Sequence, residues 1–276
     1  MWGGRPRNSV AAIRRGVGGF LAAVAVCSLP TPLNAQATAT KVMIRAVSHD
    51  AKIIGSAVGG ARISVYNALT GTLLARGMQE GGTGSTPNIV VEPRVRGQAV
   101  YDTEGAAGFL AHLELTQPTQ VRIEAEGPLG TSHAMQRVTR TMLLVPGQHV
   151  LGDGVILELH GFTVELLEPS GDLTNASGTD LSVRARVTML CGCPTEPGGL
   201  WNSDHYSIEA RIIQDGEVLE TVELVFSGET SVYEGTIHAP TEEGLALQVL
   251  AMDPVRGNFG MAERSFDEEF RGQSSD

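Results

Sequence analysis

From about residue 38 onward one pattern governs the chain: short runs in which apolar and polar residues alternate, each closed by Gly, Pro, Asn or Asp. A period of two sends successive side chains to opposite faces of a strand, so each run buries one face and wets the other. Leu181, Val183, Ala185, Val187 and Met189 share one face of such a run, while Arg184, Arg186 and Thr188 share the other. Residues 62–66 and 121–125 alternate in the same way, and helical periodicity is missing over these stretches. Strands with one apolar face must stack as sheets, which predicts an all-β chain of β-sandwich type.

Candidate strands in the first half cover residues 42–47, 61–67, 72–76, 89–92, 109–115, 120–125 and 138–144. The second half offers 155–159, 162–167, 181–189, 206–213, 218–226, 232–238 and 245–252, with Asp215-Gly216 as a hairpin turn. With 276 residues, the chain has the length of about two domains. We therefore expect two tandem β-sandwich domains, at 38–152 and 153–266, after an N-terminal signal peptide and before a disordered acidic tail at 267–276. The turn sequences near the boundary, residues 145–149 and 152–154, include no long Ser/Gly/Pro tether, so the domains are expected to keep a fixed relation.

Residues 1–37 read as the signal peptide. Arg5, Arg7, Arg14 and Arg15 precede the apolar run 16–29, and the small-residue stretch 33–37 follows. That run falls short of the roughly 20 residues that span a bilayer, so no transmembrane anchor is expected in the mature chain. Twin-arginine and lipoprotein signals fit less well, because Arg14-Arg15 lacks the usual flanks and Val26 precedes Cys27. The expected location is therefore the periplasm or the extracellular space. Loss of the four arginines takes the formal charge from −11 to about −15, which argues against a nucleic-acid partner. The charge is uneven: Lys and Arg slightly outnumber Asp and Glu up to Val150, whereas acids dominate from Leu151 onward.

Two stretches resemble known families. Gly60-Ala61-Arg62-Ile63-Ser64-Val65-Tyr66, the Thr70-Gly71 turn and Leu74-Ala75-Arg76-Gly77 look like carboxypeptidase regulatory-like (transthyretin-related) sandwiches. That resemblance implies a non-catalytic accessory or binding module, although residues 82–105 have no place in a minimal sandwich and read as a surface excursion. Tyr233-Glu234-Gly235-Thr236-Ile237-His238-Ala239-Pro240, with residues 245–253 and Gly257-Asn258, is similar to the closing strands of bacterial immunoglobulin-like domains, where they form the last hairpin.

One segment, 189–201, packs two cysteines, prolines and a tryptophan behind a core strand. Three readings stay open for it. Cys191 and Cys193 can form a local disulfide in an oxidising compartment. With Met189 or His205 they can hold a soft metal, copper or zinc. Or the loop is purely structural, with Trp201 capping the sandwich. Histidines 49, 112, 133, 149 and 160 show no ligand spacing, Gly152-Asp153-Gly154 reads as a turn, and Glu217, Glu220 and Glu223 read as a solvated strand face. No catalytic motif is found. The expected function is an exported, non-enzymatic binding or accessory protein of the cell envelope with a protein or envelope partner; the alternative is a periplasmic metal or redox carrier using Cys191 and Cys193.

Overall fold

The computed structural model describes residues 36–170, 173 and 176–266. All but the last two residues of the expected signal peptide, and all of the expected tail at 267–276, lie outside the described residues. Among the described residues no helix is long and apolar enough to cross a membrane. The all-β, sandwich-type fold expected from the alternation is what the strands build.

The first sandwich holds β1 (Thr38–Ser48), β2 (Ala61–Asn67), β3 (Leu73–Gln79), β4 (Phe109–Leu115), β5 (Thr119–Gly127), β6 (Gln136–Leu144) and β7 (Val150–Leu159). They form a sheet of order β4-β1-β7 and another of order β3-β2-β5-β6. The inward positions of the alternation fill the space between them: Val42 and Ile44, Ile63 and Val65, Leu113, Ile123 and Leu157 make one core. Each such side chain, fully buried, contributes on the order of 1.5–3 kcal/mol. The β2–β3 hairpin closes as the Thr70-Gly71 pair requires. Gly71 takes φ 73°, and the Asn67 carboxamide oxygen accepts the N–H groups of Leu69 and Thr70.

The strand at 155–159 corrects the domain boundary expected at 152/153. It runs parallel to β1, Ile44 opposite Val155 and Ser48 opposite Leu159, and buries Val155, Leu157 and Leu159 in the first core. Alternation specifies which face of a strand is apolar but not which sheet receives it, so β7 was legible as a strand and not as a member of the first sandwich. Gly152-Asp153-Gly154 is a bulge within β7, where the register jumps between Val42↔Val150 and Ile44↔Val155. Gly154 sits at φ 75°, and a Cβ there would come 2.3 Å from the Met43 carbonyl oxygen, so no larger residue fits.

That bulge holds the 82–105 excursion. The Asp153 carboxylate accepts the backbone N–H groups of Val100, Tyr101 and Asp102 at 2.7–3.1 Å. Buried Arg45 donates to the Ala106 carbonyl at 3.3 Å and pairs with Asp102 at 3.0 Å. The strand expected at 89–92 is instead a single π-helical turn, Pro87–Val91, which sends Ile89 into a small cluster with Val47, Ile53, Tyr101 and Ala107. The excursion thus covers the outer face of the β1–β7 pair.

The second sandwich holds β8 (Phe162–Glu168), β9 (Thr179–Met189), β10 (Ser207–Gln214), β11 (Glu217–Glu223), β12 (Val225–Phe226), β13 (Val232–Ala239), β14 (Leu245–Asp253) and β15 (Asn258–Ser265). Its sheets are β11-β10-β14-β15 and β12-β13-β9-β8, around a core that includes Phe162, Val183, Val187, Ile212 and Val249. Asp215 and Gly216 both take positive φ, 48° and 84°, as a tight hairpin demands. The immunoglobulin-like motif does not close as one hairpin. β13 pairs with β9 in one sheet and β14 with β10 in the other, so the segment between them crosses the sandwich and the last hairpin is β14–β15.

The two sandwiches exchange core residues. Leu190, fully buried, lies in the first core although it follows β9, and Ala51, which follows β1, lies in the second. His133 sits 2.7 Å through Nε2 from the Val164 carbonyl oxygen, and the Trp201 indole N–H donates to the Asp50 carbonyl at 3.0 Å. The terminal motif serves the same junction: buried Asn258 accepts the Gly161 N–H at 2.9 Å, and buried Asp253 accepts the Arg256 guanidinium at 3.0 Å.

Candidate functional site

β9 and the segment after it carry the four residues that sequence reasoning combined into a metal site. Met189 is 1% exposed inside the second core, and Cys191 and Cys193 are joined as a disulfide, both buried in the same core. Among the described residues, His, Cys, Asp and Glu come together in a three-residue group able to hold an ion only at His49, Glu158 and His160, so His205 does not join both sulfurs in such a group. The soft-metal reading of Cys191, Cys193, Met189 and His205 thus meets two sulfurs bonded to each other and a methionine packed in the core. A sulfur already bonded to sulfur is not a thiolate, and a core methionine has nothing to offer an ion in solvent.

What the loop does is mechanical. The Met189 N–H donates to the Cys193 carbonyl at 3.0 Å, which folds the chain back on itself. Buried Thr195 then locks the return: its hydroxyl donates to the Val187 carbonyl at 2.6 Å, and its N–H donates to Ser231 Oγ at 3.1 Å. At the tip of this fold-back Leu190 is driven into the neighbouring sandwich. Gly192 packs so closely that a Cβ would stand 2.9 Å from a Val58 methyl. His238, on β13, lies with its Nδ1 2.8 Å from the Asp180 carboxylate.

The cluster that sequence reasoning missed lies at the end of the β1–β7 pair. His49 Nδ1 is 3.6 Å from a Glu158 carboxylate oxygen, and the rings of His49 and His160 stack at 3.9 Å and 18°. The available signal was Glu158-Leu159-His160, whose alternation puts Glu158 and His160 on one strand face. His49 joins them only through the parallel register, which no local pattern reveals.

A third arrangement covers the outer face of β3-β2-β5-β6. The polar positions of its strands project together: Arg62, Ser64 and Tyr66 from β2, Arg76 from β3, Arg122, Glu124 and Glu126 from β5, and Arg137 from β6. All of them but Arg122 line a cleft of about 320 Å³. Arg62 and Arg137 both pair with Glu126, and Arg122 pairs with Glu124. Arg122 also lies over the Tyr66 ring, 4.6 Å from its centroid. Arg76 bonds neutral oxygens, Ser64 Oγ at 3.2 Å and Tyr66 Oη at 3.2 Å. Side-chain hydrogen bonding to Tyr66 itself, by Arg76 first and Ser64 second, holds its phenol below its ordinary pKa.

Fold and surface together define a two-sandwich, all-β protein with a cationic cleft on one sheet face. No family model and no curated protein sequence matches the chain, so the carboxypeptidase regulatory-like resemblance of the first half finds no support there. Among solved structures, the chain is similar to the fibronectin(III)-like modules of Clostridium thermocellum CbhA, at 14% identity over 82% of this chain and 90% of that one, with a TM-score of 0.23. It is also similar to the titin domains z1z2 in complex with telethonin, at 12% identity over 83% and 94%, with a TM-score of 0.20. Parabacteroides merdae β-glucuronidase aligns at 11% identity over 82% of this chain and 24% of that one, with a TM-score of 0.20.

Proposed function

We propose that the protein is an exported, non-enzymatic binding or accessory protein of the cell envelope, and that it engages a carboxylate-bearing partner through the outer face of β3-β2-β5-β6. The observation that carries this reading is the cleft around Tyr66, where three arginines, Arg62, Arg76 and Arg137, face two glutamates. Arg76 spends its hydrogen bonds on hydroxyls and keeps its full charge for an incoming carboxylate, which a guanidinium grips through two parallel N–H donors. The tyrosine ring adds a flat apolar surface beside that charge. The rest of the molecule supports the same orientation: the acidic second half repels an anionic partner and leaves this face as the approach.

The competing reading, a metal or redox carrier on Cys191 and Cys193, needs those sulfurs within reach of a partner, and their burial favours the cleft reading over it. The test is binding of the purified protein to immobilised polyglutamate and polygalacturonate, which represent protein and polysaccharide sources of carboxylate. The triple variant Arg62→Ala/Arg76→Ala/Arg137→Ala is expected to bind at least about tenfold more weakly, the scale set by losing charge-assisted contacts. Binding should also weaken as salt rises. Equal binding by the variant, or equal binding to a neutral polymer, rejects the reading.

A further inference from the structure

We infer that His49, Glu158 and His160 form a binding site for a divalent transition-metal ion of the zinc class, at the end of the β1–β7 pair where the first sandwich meets the second. The backbone builds the site before any ion arrives. β1 and β7 run parallel with Val47 opposite Glu158 and Ser48 opposite Leu159, and the His49 N–H donates to the Leu159 carbonyl at 2.8 Å. One step further along the same register His49 stands beside His160, and the alternation of β7 keeps Glu158 on the face of His160. Two imidazoles and a carboxylate thus meet from segments more than a hundred residues apart in sequence.

The side chains are left in a state that an ion resolves. His49 Nδ1 is buried from solvent and has no hydrogen-bond partner, a condition that native polar atoms rarely keep. Its 3.6 Å separation from Glu158 is too long for a hydrogen bond and short enough for both to reach one cation. The donor atoms of the three residues all lie within 4.8 Å of one another. Two donors held about 2.0–2.1 Å from a tetrahedral ion sit roughly 3.3 Å apart, so closure needs a movement of at most about 1.5 Å. Side-chain rotation supplies it. The stacked rings must turn until their lone pairs converge, and His160, exposed and flanked by Gly257, has room to do so.

The donor set selects the ion. Calcium and magnesium take oxygen ligands and Cu(I) prefers sulfur, whereas imidazole with carboxylate suits zinc, nickel and copper(II). Three protein ligands leave a fourth position for water or for a group from a partner. An ion here would also brace the junction. His49 precedes Asp50, which the second sandwich holds through Arg256, at 2.8 Å, and Trp201.

The test is calorimetric titration of zinc chloride, then nickel chloride, into purified protein stripped with a chelator. One ion per chain is expected, with His49→Ala and His160→Ala each weakening uptake by more than the roughly 10–100-fold that loss of an outer-shell partner costs. His49→Gln, which keeps side-chain volume, should fail as His49→Ala does while circular dichroism stays unchanged. His238→Ala, far along the second sandwich, should bind as the parent does. Zinc-edge X-ray absorption should report nitrogen neighbours at about 2.0–2.1 Å. No saturable uptake, or uptake that survives loss of His49 and His160 together, overturns the proposal.

Discussion

Tyr206 shows how a single side chain at the edge of the second core ties stability to pH. Its ring packs on Phe162 at 4.9 Å between centroids, and its phenol pKa is pushed up to about 12, first by burial and then by the Asp253 carboxylate. The folded state therefore prefers the neutral phenol. This contribution is fully present below the ordinary value of 10.0 and is lost as pH rises through about 12. Urea denaturation at pH 8, 10 and 11.5 should show the protein weakening over the upper part of that range, and Tyr206→Phe weakening less. An unchanged pH dependence in the variant contradicts this account. Leu190 makes the larger residue-scale prediction. Truncating a fully buried leucine costs about 2–5 kcal/mol, so Leu190→Ala should lower stability by that order, although its backbone belongs to the other sandwich.

Among the elements, β7 and its bulge carry the most consequence, because the bulge aims Asp153 at the excursion. A carboxylate accepting backbone N–H groups contributes roughly 1.5–3 kcal/mol per charged hydrogen bond, so Asp153→Ala should release residues 94–103. Trypsin should then cut the native variant at Arg94 and Arg96 faster than the parent; equal cleavage rates would show that the Ile89–Tyr101 cluster holds the segment unaided. β7 also marks how far the sequence could be read. Its alternation and the hairpin turns at Thr70-Gly71 and Asp215-Gly216 are local, and the strands they predict exist. Membership of a sheet is not local. Neither the parallel pairing of β7 with β1 nor the placing of β13 and β14 in opposite sheets leaves a trace within a few residues. The strand expected at 89–92 and found as a turn has a related cause, because Ile89, Val90 and Val91 follow Pro87 in a turn whose apolar contacts lie on distant strands. The candidate sites follow the same division. The polar alternation of β2 and β5 was visible, whereas His49 and His160 meet only once the register exists. The cysteine loop stood out by composition and its disulfide was one of the readings open there, but its burial and the reach of Leu190 into the other core are properties of packing.

At the scale of the whole molecule, the claim on which the rest depends is that the two sandwiches behave as one body. Leu190 and Ala51 each complete the other sandwich's core, and Asp50, Arg256, Trp201, His133 and Asn258 bond across the same junction. A domain that lends a core residue to its neighbour cannot unfold without exposing that neighbour's cavity, which couples the two transitions. The disulfide should reinforce this coupling, since it holds the fold-back that presents Leu190. Alkylation of the native protein should therefore leave Cys191 and Cys193 unmodified until a reductant is added. Differential scanning calorimetry tests the central claim most directly. A single cooperative transition, with calorimetric and van't Hoff enthalpies in agreement and shifted as a whole by Leu190→Ala, is the predicted result; two separate transitions in the parent, of which Leu190→Ala moves only one, would contradict it.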